Sequence, residues 1–104
     1  MGHNSAWKEE ERKAAAIFGG QRFWANSGER VDFQGQIGTR TVCGQVKHVR
    51  VLALAALERL ATEEGVDVVV VKRRSGRGQQ TPRLVVFTEA AYRRLHQPAV
   101  PVQG

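Results

Sequence analysis

The run "VDVVVVK", residues 66–72, constrains the fold more than any other part of the chain. Four consecutive valines are stiff at χ1 and favour extended backbone. They also show no alternation. A strand with one wet face alternates apolar and polar residues, whereas a continuous apolar run is the pattern of a strand covered on both faces. The chain must therefore supply elements for both sides of a sheet. Segments of helical periodicity lie near both ends and in the middle of the sequence. Together these predict an α/β fold: a small mixed β-sheet flanked by helices.

The remaining elements follow from periodicity and punctuation. A first helix is expected over residues 5–18, capped by Asn4 or Ser5, with the acidic start "KEEE" complementing its dipole and Gly19-Gly20 ending it. Trp7, Glu11, Ala14 and Phe18 share one face of that helix; an alternative register groups Glu10 with Ala14 and Ile17, so either acid can be the inward one. An extended piece at 22–24 and a turn at Asn26-Ser27-Gly28 lead to a strand over 31–36, broken at Gly38. Period two sets Val31 and Phe33 on one side of it, Asp32 and Gln34 on the other. The next strand, "RTVCGQVKHV", separates Val42, Gly44 and Val46 from Cys43, Gln45 and Lys47. "VLALAALERLATEEG" reads as an amphipathic helix with Leu54, Leu57, Leu60 and Ala61 inward and Gly65 as its stop. After the valine strand come a basic loop, "RRSGRGQQTP", a strand "RLVVFT", a Thr88 cap and a helix "EAAYRRL". The order is α-β-β-β-α-β-β-α, one domain over 1–95 with an irregular tail over 96–104.

Charge narrows the partners. Sixteen Lys and Arg against ten Asp and Glu give a formal charge of +6, which favours a polyanion, nucleic acid first. Arg outnumbers Lys, which suits forked contacts to phosphate. Cys43 is the single cysteine, so no intrachain disulfide forms, and an intracellular setting is the simpler expectation. The first residues carry no apolar signal-peptide core, and no apolar run reaches membrane-spanning length. His3, His48 and His96 are isolated and lack metal-ligand spacing. "SGRGQQT" is neither a Walker loop nor a dinucleotide-binding turn. Phe23 and Trp24 suit core packing better than stacking on a base.

One constellation carries chemistry. Asp32, Gln45 and Lys47 fall on adjacent expected strands, and strand periodicity allows all three to meet. Hydrolysis of a phosphodiester with Mg²⁺ uses hard oxygen ligands for the metal and a cation for the developing charge. A carboxylate, an amide oxygen, a lysine and a helical Glu make such a set. Taken singly, Asp32 also reads as a strand-end acid paired to an arginine, and Lys47 as a solvated strand residue.

The ordered series "ERKAAAIFGGQRFWANSGERVDF…GQVKHVRVLALAALERL…VDVVVVKRRSG…PRLVVFTEAAYRRL" resembles the phage and archaeal-type Holliday junction resolvases of the PD-(D/E)xK nuclease superfamily, over about residues 9–95. That resemblance implies a restriction-endonuclease-like core and a metal-dependent endodeoxyribonuclease that resolves four-way DNA junctions as a homodimer. It implies Mg²⁺, with Mn²⁺ as a substitute. It matches Asp32 to the metal-binding Asp, Lys47 to the catalytic Lys, Glu11 (or Glu10) to the helical Glu, and Ser27 to a serine near the scissile phosphate. Asp32, Gln45 and Glu11 would hold the metal. Arg22, Arg40, His48, Arg50, Lys72, Arg73, Arg74 and Arg77 would hold DNA. Gln45 departs from the pattern, standing where these resolvases carry Glu. The alternatives are a non-catalytic or detuned branched-DNA-binding protein on the same scaffold, or a related flap or nicking nuclease. A phage source would put the protein in the host cytoplasm.

Overall fold

The structure is a computed structural model and describes residues 2–22, 31–76 and 78–97, with side chains for 8–20, 31–76 and 78–97. Eight elements follow one another in the expected order: α1 (Gly2–Ile17), β1 (Gln21–Arg22), β2 (Phe33–Ile37), β3 (Arg40–Val49), α2 (Leu54–Ala61), β4 (Val68–Arg73), β5 (Arg83–Phe87) and α3 (Glu89–His96). The strands form one mixed sheet in the order β1-β2-β3-β4-β5. β1, β2 and β3 pair antiparallel, β3 and β4 run parallel across the α2 crossover, and β5 returns antiparallel. A parallel neighbour needs a crossover of this kind, because a hairpin cannot reverse the chain twice.

The valine run lies at the centre, with Val68, Val69 and Val70 all buried. Its two faces feed two cores. On one, Val68 and Val70 join Phe33, Val42, Val46, Ala14 and Ala15 from α1, and Ala91 and Leu95 from α3. On the other, Val69 joins Val31, Val66 and Ala61, with Leu57, Leu60 and Cys43 packed at the edge. Cys43 thus acts in packing. Gly44 sets the register of β2 on β3: a Cβ there would sit 2.3 Å from Phe33 Cζ, so only glycine lets the ring lie flat across its own ladder partner. Gly38, at φ +62°, makes the tight turn between the two strands.

Four expectations are corrected. α1 begins at Gly2, so Asn4 and Ser5 lie inside the helix and no acid falls in its first turn. α2 starts at Leu54 and ends at Ala61, where Thr62 Oγ1 donates to the Glu58 carbonyl at 2.9 Å. Leu54 is therefore the first residue of the helix and is 80% exposed, not inward. Val31 and Phe33 do not share a face, since Val31 packs in the α2 core and Phe33 in the α1 core. α3 runs one residue further than expected, taking His96 from the tail into the helix. Its Thr88 cap is as expected, the side chain accepting the Ala91 N–H at 3.0 Å. The Asn26-Ser27-Gly28 turn, Phe23, Trp24 and the tail from Pro98 lie outside the described residues.

Candidate active site

Asp32 stands where the alternation between Val31 and Phe33 breaks. Its N–H donates to the Gly44 carbonyl at 2.8 Å, and β2 begins only at the next residue, Phe33, so no residue of β2 pairs with β3 beyond this point. The next inward-facing donor on β3, the Val46 N–H, is met by the Asp32 carboxylate, with Oδ2 accepting at 2.8 Å. The side chain replaces a missing strand and holds the carboxyl at the end of the β2–β3 ladder. Asp67 makes a parallel arrangement one strand over. Its N–H donates to the Cys43 carbonyl while its Oδ2 accepts the Cys43 N–H, each at 2.8 Å, and Arg94 donates to Oδ1 at 2.5 Å.

Burial pushes the Asp32 carboxyl above its usual range, and the charge of Glu11 pushes it further in the same direction. The Val46 N–H and the Lys47 ammonium pull the other way without cancelling the rise. Asp32 therefore lies within electrostatic reach of both an acid on α1 and a lysine on β3. Glu11 is the inward acid of the two α1 candidates, only 6% exposed beside Ala14 and Ala15. Gln45 is two residues from Lys47 on the same face of β3, and its Oε1 is shut off from solvent. Among the described residues, no three His, Cys, Asp or Glu gather as a metal cage. The oxygen donors at hand are two carboxylates and an amide.

Glu10, the other α1 candidate, does something the sequence did not announce. His48, Lys72 and Arg83 are in-register partners across β3, β4 and β5, so three basic residues form one lateral row. Glu10 lies over that row and accepts a hydrogen bond from Arg83 Nη2 at 2.8 Å. Burial works against its charge, yet the Arg83 hydrogen bond and the charges of Arg83, His48 and Lys72 together hold it below its ordinary value. Two consecutive acids on one helix thus read opposite environments: Glu10 a row of cations, Glu11 another acid. Residues 10 and 83 are far apart in sequence, and no local motif links them.

The basic residues expected to hold DNA divide by position. His48 and Arg50 lie at the end of β3, and Lys72, Arg73 and Arg74 at the end of its parallel partner β4, where Arg74 N donates to the Val49 carbonyl at 2.8 Å. Arg40 opens β3 at its other end, roughly 30 Å away at about 3.3 Å per residue, in a hollow with Ile37, Leu95 and His96. The strand does not bring Arg40 together with the rest. Ser27, Arg77 and the Arg22 side chain lie outside the described residues.

Lys47 also borders an open groove of ≈ 330 Å³ along α2, lined by Leu52, Ala56, Arg59, Leu60 and Glu63. Arg59 and Glu63 were not among the expected site residues: Arg59 is exposed on a helix read only for its leucines, and Glu63 lies in the turn that follows it.

Comparison of the chain with protein-family models, with curated proteins and with solved structures returned no match.

Proposed function

We propose that this chain is a structure-selective DNA endonuclease that resolves four-way junctions by metal-dependent phosphodiester hydrolysis, on a PD-(D/E)xK-type core. The observation that carries the reading is the setting of Asp32: a carboxyl fixed by a backbone N–H at the end of the β2–β3 ladder, within reach of one acid and one lysine. The charge of Glu11 works against ionisation of Asp32, a conflict that a cation beside them would relieve, and an oxygen donor set is what Mg²⁺ takes. Asp32, Glu11 and the Gln45 amide oxygen would hold it; when bound, the ion supplies an activated water and neutralises charge on the phosphate. Lys47 stabilises the negative charge that develops on the phosphoryl oxygens, and the Val46 N–H fixes Asp32 without needing a side-chain partner. His48, Arg50, Lys72, Arg73 and Arg74 would hold the sugar-phosphate backbone by shape and charge rather than by base edges.

A four-way junction has two-fold symmetry, and a symmetric homodimer would present two such sites to equivalent strands. Val51, Leu54, Leu84 and Val85 are exposed apolar residues that a second copy would cover. No described helix is long and apolar enough to cross a membrane, and action on DNA in a host cytoplasm fits the reading.

Purified protein is incubated with labelled four-way junction and linear duplex, with and without Mg²⁺. Paired symmetric nicks in the junction, dependent on Mg²⁺ and abolished in Asp32→Ala, support the enzyme. Gln45 favours one rival, a branched-DNA-binding protein with a detuned site, since an amide brings no charge to the metal. That reading is supported if the junction is bound intact and Gln45→Glu alone confers cutting. Cutting of flaps but not junctions would replace the junction substrate with a flap.

A further inference from the structure

We propose that the groove along α2 is a binding pocket for a single unpaired nucleotide, seated next to the phosphate that Lys47 engages. The proposal rests on the nuclease reading for the identity of the polymer and goes beyond it in assigning the groove. At ≈ 330 Å³ the groove lies at the small end of ligand pockets, the scale of one nucleotide rather than a base pair. Its lining divides by chemistry. Leu52, Ala56 and Leu60 are partly buried aliphatic side chains that can cover the faces of a base. Lys47 on β3 and Arg59 on α2 bring two cations to the same space, suited to the phosphates on either side of that base. Glu63 accepts hydrogen bonds and can pair with an exocyclic amino group. Its charge opposes a third phosphate, which limits the groove to one residue of the strand.

The groove also starts at a functional side chain. Lys47 belongs both to the Asp32 neighbourhood and to the groove wall. A strand whose phosphate meets Lys47 has its next base directed along α2. Drawing a base out of a duplex stack breaks its stacking and pairing, and the cost is least where the base is already unpaired. The groove would thereby select branch points, flaps and mismatches over continuous duplex, a specificity that backbone contacts alone do not give.

The test measures binding without catalysis. The full chain, in EDTA, is titrated with a four-way junction and with duplex, each carrying one 2-aminopurine at or next to the branch. Transfer of that base from the stack to an aliphatic pocket raises its fluorescence; a severalfold rise with the junction and none with duplex is expected. Ala56→Trp fills the groove and should abolish the rise and weaken junction binding about tenfold. Arg59→Ala, at an exposed position that does not threaten folding, should weaken the same binding several-fold and leave duplex binding unchanged. An undiminished rise in a folded Ala56→Trp protein overturns the pocket, as does junction binding with no rise at any labelled position near the branch. The two readings separate cleanly: a rise without Mg²⁺-dependent cutting keeps the pocket and removes the nuclease, and cutting without a rise does the reverse.

Discussion

At the scale of single residues, Asp32 combines two roles that substitution can pull apart. Its carboxylate satisfies the Val46 N–H, and its charge is opposed by burial and by Glu11. Because its pKa is raised on folding, the protonated form is the one that folding favours. The stability it contributes is complete below its ordinary pKa of 3.8 and is lost as pH rises through the higher folded-state value. Asp32→Asn keeps an acceptor for Val46 and loses the repulsion, so at neutral pH it should be at least as stable as the parent while losing any cleavage. Asp32→Ala leaves a backbone donor without its acceptor and should cost about 1–3 kcal/mol in urea unfolding. An Asn variant that unfolded as easily as the Ala variant would show that the charge itself holds the ladder. Glu10 has the opposite sign. Its pKa is lowered, so its contribution is present above 4.5 and is lost as pH falls through the folded-state value. Glu10→Gln should cost about 1 kcal/mol at neutral pH, and the exchange Glu10→Arg with Arg83→Glu should recover part of the loss of either single change.

Among the elements, legibility followed locality. The valine run is its own signature, and β4 lies where that run requires, covered on both faces. The Thr88 cap was readable because the hydroxyl and the N–H it meets are three residues apart. The face of α1 was readable only to within two registers, and packing against Phe33 and Val42 chose Glu11. Period two failed between Val31 and Phe33 because a side chain, not the chain's own carbonyl, completes the β3 ladder there; alternation cannot anticipate that. α2 was drawn too long because its apolar pattern runs back to Val51, although the structure starts the helix at Leu54 and leaves both residues at least 80% exposed. Leu54→Ser should therefore move stability by no more than about 0.5 kcal/mol, whereas Leu60→Ala, at the edge of the α2 core, should cost about 2 kcal/mol. Gly44→Ala should be worse for its size, about 1–3 kcal/mol in thermal or urea unfolding, because the added methyl meets Phe33 and Val68 with no room to move.

For the whole molecule, the distribution of charge matters more than its sum. A net charge of +6 predicts nucleic acid but says nothing of where it binds. The parallel pair β3 and β4 ends both strands on one side of the sheet, gathering His48, Arg50, Lys72, Arg73 and Arg74 there and leaving Arg40 at the other end. If that side holds DNA, the slope of log K against log salt should fall by about 0.9 for each phosphate contact removed. Arg73→Ala and Arg74→Ala should each flatten it, and Arg40→Ala should not. Equal effects from all three would mean that binding spreads over the whole surface.

The order β1-β2-β3-β4-β5 repeats the order of the strands in the sequence. Among the described residues no strand inserts between two that precede it, so each β-pairing joins strands that are neighbours in the sequence. Contact order within the sheet is correspondingly low, and assembly can start independently in the β2–β3 and β4–β5 hairpins, on the microsecond scale of hairpin formation. The two halves meet through one slower event, the α2 crossover that lays β4 beside β3. That same crossover brings Lys47, Arg59 and Glu63 to a common groove, so the proposed pocket is complete only once the two halves of the sheet have met.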